Sequence, residues 1–219
     1  MEVRPTEPTE AGEIQRLLAR VFRSDLSAPF LQPDHLHWKY WARHPDWSGP
    51  RSYVAEHQER LAAHAGLCPM RYCLGDRTVT SIIFIDWAAD PDVPGAGIYL
   101  LSELFGLAET ATGVDGTAEA ASIIPRLGFR DRGALPIYSL VARPWNAFRA
   151  HSPRDWKSPL RLLRDTARWV SAPRPSFQDW STQPIRCFDE ASRTLIERPP
   201  ERGAVPCRRT PEWLNYMLR

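Results

Sequence analysis

Between residues 82 and 99 the sequence sets an acidic side chain close to a glycine loop. Asp86 interrupts the apolar run Ile82-Ile83-Phe84-Ile85-Asp86-Trp87-Ala88-Ala89, and a carboxylate in apolar surroundings is expected to hold its proton more tightly than one in water. There follows Asp90-Pro91-Asp92-Val93-Pro94-Gly95-Ala96-Gly97 and then an apolar stretch, residues 98–108, that recurs at i, i+3, i+4. The pattern reads as strand, glycine loop, helix. Glycine lets an anion approach the backbone. The N–H groups freed at a first helical turn, with the helix dipole, favour a phosphate-type anion there. An ordinary Pro-Gly turn before a helix is the plain alternative.

Other residue types with chemical potential carry less. His35, His37 and His44, or His57 and His64, can be drawn as metal ligands, but positions 35 and 37 face apart on a helix. Surface or capping roles are expected for them, and no metal site. Cys68, Cys73, Cys187 and Cys207 contain no C-x-x-C and are expected as buried, reduced thiols. Arg161, Arg164 and Arg168 share one helix face and could grip a phosphate, a membrane surface or nucleic acid. No nucleic-acid motif accompanies them, so a solvated face is expected.

The elements that must position these residues follow from periodicity. Residues 1–4 read as a strand. Residues 8–22 place Ile14, Leu17, Leu18, Val21 and Phe22 at helical spacing, with Thr9 as the expected N-cap. A second helix is expected over 34–43, capped by Asp34 and stopped near Pro45. Three antiparallel strands are expected over 52–58, 60–74 and 77–88, the last two joined at Gly75-Asp76. Beyond the loop and its helix come a strand at 111–114, a short helix at 117–126 and a strand within 128–143. This order is that of an α/β (α+β) layer fold on a mixed sheet. In the remainder, helices are expected at 159–170 and 211–218, and a strand at 185–188.

Composition bounds the class. The 219 residues, 43% hydrophobic and 25% charged, with a mean hydropathy of −0.41, fit one globular domain with an appendage. Residues 1–142 carry 13 basic and 18 acidic side chains, net −5, and residues 143–219 carry 15 and 8, net +7, with 10 of the 21 prolines. The overall charge of +2 argues for neither a nucleic-acid binder nor an acidic one. No run approaches the roughly 18 apolar residues of a membrane helix, and the N-terminus is acidic where a signal peptide is basic and then apolar. A cytoplasmic location is expected. Two regions are expected: a domain over 1–143 and a Pro/Arg/Trp-rich extension over 144–219.

Three features in order, Val3-Arg4-Pro5 with its following helix, the loop at 90–98, and the late Ala120-Ala121-Ser122-Ile123-Ile124-Pro125-Arg126-Leu127-Gly128-Phe129, give residues 1–143 a resemblance to the GNAT N-acetyltransferase superfamily. The resemblance implies a mixed, mostly antiparallel sheet flanked by helices, and acetyl-CoA or another acyl-CoA as cofactor. It implies pantetheine docking along Trp87, Ala88 and Ala89, and phosphate binding at Pro94, Gly95, Ala96, Gly97, Ile98 and Tyr99. Such enzymes use a base for the acceptor amine, a backbone N–H for the thioester carbonyl and an acid for the leaving thiolate. Asp86, a carboxylate within the apolar run, is the candidate base; the plain alternative is that it faces solvent on an alternating strand.

The chain departs from the family pattern Arg/Gln-x-x-Gly-x-Gly/Ala in two places. Pro94 stands at the basic position and Tyr99 at the second small one, and both weaken anion binding. The position of the usual acid, a tyrosine five residues before Phe129, holds Ile124, leaving Tyr99 and Tyr138 as phenols that could replace it. The expected function is therefore acyl-CoA-dependent N-acyl transfer to the amine of a small molecule or peptide. The alternative is a non-catalytic binding or scaffold module of the same fold.

An echo between residues 34–41 and 212–219 is similar to the start of a second such domain in tandem. That reading makes 144–210 a connector and leaves the last helix with uncovered apolar surface that favours a homodimer.

Overall fold

The computed structural model describes residues 1–114, 116–133, 143–150, 156–172, 184–197 and 207–218. They fall into two units, one of Met1–Arg130 with Ile185–Arg219 and one of Asp131–Pro184.

The first unit is built on a five-stranded sheet in the order β1-β2-β3-β4-β5. β1 (Glu2–Pro5), β2 (Ser52–His57), β3 (Arg60–Leu74) and β4 (Arg77–Ala89) are antiparallel neighbours, and β5 (Thr110–Thr112) runs parallel to β4. Gly75, at φ 61, supplies the left-handed residue of the β3–β4 hairpin. Gln58 and Glu59, at φ 51 and 59, turn β2 into β3 with the two positive-φ residues that a tight hairpin needs. Pro69 lies in mid-β3 without breaking the sheet, because pairing to β2 ends at Gly66 and its missing N–H falls on the open edge.

Helices α1 (Ala11–Phe22) and α2 (Pro33–Tyr40) cover one face of the sheet, burying Ile14, Leu18, Ala19, Leu31, Leu36 and Tyr40 against Ala88 and Ile85. Each fully buried Ile or Leu contributes about 2 kcal/mol of transfer free energy. The start of α1 is capped differently from expectation. Glu7 and Glu10 form a reciprocal capping box around a single 3-10 turn at Pro8–Glu10, and Thr9 caps nothing. Gln32 precedes α2, so Asp34 lies in the first turn, where its charge suits the dipole. On the other face α3 (Ala96–Leu104) packs Ala96, Leu100, Leu101 and Leu104 on Ala55, Ala63, Ala65, Leu67 and Ile82. The alanines on both sides let helix and sheet approach closely.

After β5 come α4 (Ala118–Ile123), capped by Thr117, and a 3-10 turn at Ile124–Leu127. The strand expected within 128–143 lies largely outside the described residues, as does Tyr138. No strand forms at 185–188. Instead Asn215 takes Phe188 as a second backbone would, accepting from its N–H and donating to its carbonyl, each at 2.7 Å. α7 (Glu190–Ile196) then leads to α8 (Pro211–Met217).

α8 seats on α2. Trp38 and Tyr216 stack at 5.6 Å, the Trp38 indole donates to the Tyr216 carbonyl at 3.0 Å, and the Tyr216 hydroxyl donates to the Trp38 carbonyl at 2.8 Å. Trp213 and Tyr216 are buried. The expectation of uncovered apolar surface on this helix is met only in part: the same chain covers Trp213 and Tyr216, while Met217 and Leu218 are exposed.

In the second unit α5 (Pro144–Ala150) packs on α6 (Ser158–Ser171), whose Leu160, Leu163 and Val170 are exposed and whose Arg164 pairs with Asp165 at 2.7 Å. Among the described residues no helix is long and apolar enough to cross a membrane.

Candidate active site

The sheet is irregular at Asp86. His64 pairs with Ala88 and Gly66 with Ile85, so Asp86 and Trp87 together stand opposite Ala65 alone, a β-bulge in β4. Asp86 adopts φ 50, a left-handed conformation rare outside glycine. Gly66 across from it is obligatory in the present packing, since a Cβ there would lie 2.7 Å from the Tyr40 ring and 2.9 Å from Ile85 Cγ1.

Asp86 is not a free carboxylate. Its Oδ2 accepts from the Lys39 ammonium and, at 2.7 Å, from the Tyr40 hydroxyl. Both partners come from the last turn of α2. The Lys39 side chain is 9% exposed and that of Asp86 17%, and the ammonium also lies 5.3 Å from the Tyr40 ring centre and 5.8 Å from that of Phe30. Burial, then the charge of Asp86 and its hydrogen bond, push the Tyr40 phenol well above its ordinary value.

α2 is itself anchored by Arg51, a buried guanidinium that donates to the carbonyls of Trp38, Lys39 and Ala42 and, at 2.8 Å, to the Tyr216 hydroxyl. It caps the orphan carbonyls at the helix end. The C-terminal helix, through Tyr216, thus belongs to the scaffold that sets Lys39 and Tyr40. None of these partners is adjacent to Asp86 in sequence, and sequence reading missed all of them.

The glycine loop is held from within and from α1. The Asp90 N–H donates to the Ala62 carbonyl at 2.7 Å, the Val93 N–H to Asp90 O at 3.0 Å, and the Asp92 N–H to Asp90 Oδ1 at 3.0 Å. The Arg20 guanidinium pairs with Asp90 Oδ2. Burial opposes ionisation of Asp90, but the Asp92 N–H and Arg20 outweigh it and hold the carboxyl below its usual range. The negative charge of Asp90 beside the loop is therefore balanced by Arg20.

Gly95, at φ 85, is the N-cap of α3, with nothing within 4 Å of where a Cβ would lie. α3 begins at Ala96, two residues before the expected start, so Gly97 lies inside the helix. A Cβ on Gly97 would meet Trp87 Nε1 at 3.0 Å and Ala89 Cβ at 3.1 Å, and the Trp87 indole donates to the Gly97 carbonyl at 3.1 Å. This glycine serves the packing of α3 on β4. The Ala96 N–H is satisfied by Val93 O and that of Tyr99 by Gly95 O, whereas the N–H groups of Gly97 and Ile98 have no acceptor among the described residues.

β5 pairs only with Ser81–Ile83 of β4. Residues 84–89 have no partner on that side among the described residues, and this open edge leads to the start of α3. Of the residues predicted for the site, Trp87, Ala89 and Gly97 are brought together on the α3 face, while Asp86 turns its side chain to α2. Tyr99 donates to the Met1 carbonyl at 3.2 Å, beside β1 at the opposite side of the sheet from β5, and does not fill the gap.

No family model and no curated protein matches the chain. Among solved structures, a mutant of the BH1408 protein from Bacillus halodurans superposes with a TM-score of 0.51 at 14% identity, covering 64% of this chain and 100% of that one. A protein from Agrobacterium tumefaciens, provisionally named an acetyltransferase, gives 0.50 at 14% identity over the same shares. At such identities the likeness is one of fold. With its five-stranded, mostly antiparallel sheet flanked by helices, the chain shares the fold of these two structures, and it is the mixed-sheet fold expected from the sequence.

Proposed function

We propose that the chain binds acetyl-CoA or a longer acyl-CoA and transfers the acyl group to an amine of a small molecule or peptide. The observation that carries this reading is the parting of β4 from β5 beyond Ile83, next to a helix start with two unsatisfied N–H groups. The pantetheine would lie along Trp87, Ala88 and Ala89, completing the ladder that β5 leaves open. The diphosphate would lie at Pro94–Ile98, with the N–H groups of Gly97 and Ile98 as donors.

In the transfer, the amine nitrogen attacks the thioester carbon, the C–S bond breaks, and the thiolate takes a proton. Asp86 would receive the amine's proton. An acceptor must then compete with the Lys39 ammonium for Oδ2. Of the two phenols expected as acid, Tyr99 is engaged with Met1, which leaves Tyr138. One observation favours the second reading, a binding module without turnover: both Lys39 and Tyr40 already occupy the oxygen that the base would use.

Calorimetric titration with acetyl-CoA and a longer acyl-CoA tests the proposal. Gly97→Trp is a poor control, because it breaks α3–β4 packing. Ile98→Asp keeps the fold, suits the helix dipole and repels phosphate. It should weaken binding about tenfold, the factor given by ~1.4 kcal/mol of charge repulsion. Pro94→Arg should tighten it. No heat from folded wild-type protein would sink the proposal. Binding without thiol release across an amine screen would select the second reading.

A further inference from the structure

A chain of buried polar groups crosses the sheet beneath the bulge, and its hydrogen bonds have only one consistent direction. His64 on β3 is 0% exposed. Its Nδ1 lies 3.1 Å from the Asp86 carbonyl oxygen and its Nε2 3.0 Å from Ser52 Oγ. A carbonyl can only accept, so Nδ1 carries the proton and Nε2 is an acceptor. The Ser52 hydroxyl must then donate to Nε2, and the Thr6 hydroxyl, 2.6 Å from Ser52 Oγ, donates to Ser52 in turn. Burial brings the ring's pKa down to about 4, so the imidazole is neutral at physiological pH.

The carbonyl at the end of this chain belongs to the residue at φ 50. A planar trans peptide points its N–H opposite to its carbonyl. Fixing Asp86 O on His64 therefore fixes the Trp87 N–H, which points away from His64.

We infer that His64 is a positioning residue: held in its Nδ1–H form by the Asp86 carbonyl, with Ser52 donating to Nε2, it clamps the Asp86–Trp87 peptide so that the Trp87 N–H is set to receive the acyl carbonyl. The inference rests on the acyl-CoA reading above. It adds that discrimination between acyl-CoA and free CoA depends on a buried ring that touches neither ligand.

The test combines ring nitrogen-15 NMR with calorimetry on the full chain, using acetyl-CoA and CoA as probes. Wild type should show the Nδ1–H tautomer, and Ser52→Ala, which removes only the donor to Nε2 and frees the ring to tilt, should keep it. His64→Leu, of similar bulk, should keep CoA affinity while losing about tenfold in the preference for acetyl-CoA, the loss of one hydrogen bond to the thioester carbonyl. Ser52→Ala should lose part of it. A wild-type Nε2–H tautomer overturns the inference, as does an equal loss of both ligands in His64→Leu, which marks a purely structural role. An unchanged preference in folded His64→Leu also overturns it while the acyl-CoA reading stands. Failure of wild type to bind either ligand brings down both.

Discussion

Two histidines buried in the neutral form make the stability of this chain depend on pH in a range where few other groups act. His64 and His44 both have pKa values brought down from 6.5 to about 4, in each by burial first, with Arg51 and Arg71 adding positive charge around His44. The unfolded chain takes up protons on both rings as pH falls below 6.5 and the folded chain does not. Stability is full above the unfolded value and is lost as pH falls toward the folded one. At pH 5.5 each ring binds about 0.9 proton more in the unfolded state, so the two give a slope of roughly 2.4 kcal/mol per pH unit. By pH 5 the loss reaches about 2 kcal/mol for each, a large part of a typical 5–15 kcal/mol. His35, lowered by burial and by Lys39, acts in the same direction. Glu10 and Asp90 have lowered values and act at lower pH. Urea unfolding at half-unit steps from pH 7.5 to 5 measures the slope, and His44→Phe should remove about half of it. A wild-type slope worth less than one proton between pH 5 and 6 would refute the assignment of both rings as buried and neutral.

Lys39→Met should destabilise by about 3 kcal/mol, because it leaves a largely buried carboxylate with the Tyr40 hydroxyl alone, and the double variant Lys39→Met, Asp86→Leu should recover most of that in chemical denaturation. Gly97→Ala should cost ~1–3 kcal/mol through its contacts with Trp87 and Ala89. Gly95→Ala should cost about 1 kcal/mol through φ 85 alone, and thermal melts of the pair with acyl-CoA absent read both. Arg20→Ala should raise amide exchange across residues 90–96 and leave β1 and β2 unchanged; equal protection in the variant would show that the loop holds itself.

Much of the scaffold was legible because its cause is local. The alternation in β2, β3 and β4, the turn at Gly75-Asp76 and the apolar stripe of α1 are written in neighbouring residues. The glycine loop was legible as a loop, but Gly97 looked like a phosphate glycine and is placed inside α3 by Trp87 and Ala89. Thr9 is a good cap by type and lost to Glu7 and Glu10, which satisfy two groups at once. At the site, Asp86 stood out as a charge in an apolar run, whereas Lys39, Tyr40, His64 and Arg51 did not. Their roles come from pairings across 47 residues for Lys39, 46 for Tyr40, 12 and 22 for His64 and up to 165 for Arg51, which no local period encodes. His64 drew notice only as a doubtful metal ligand. Its partners, a serine hydroxyl and a main-chain carbonyl, leave no trace in residue type.

The seating of α8 on α2 has a kinetic consequence. The two Trp38–Tyr216 hydrogen bonds join residues 178 apart, so they close nearly the longest loop the chain can form. Such contacts bear the full entropy of loop closure before they return any energy. The sheet, with its hairpins, can assemble without them. Folding should therefore proceed in two stages, a fast collapse of β1 through β4 with α1 and α3, and a slower arrival of residues 207–218. Until then Arg51 lacks the Tyr216 hydroxyl and α2 lacks its stacking partner, so the helix that presents Lys39 and Tyr40 to Asp86 is the last part of the site to set.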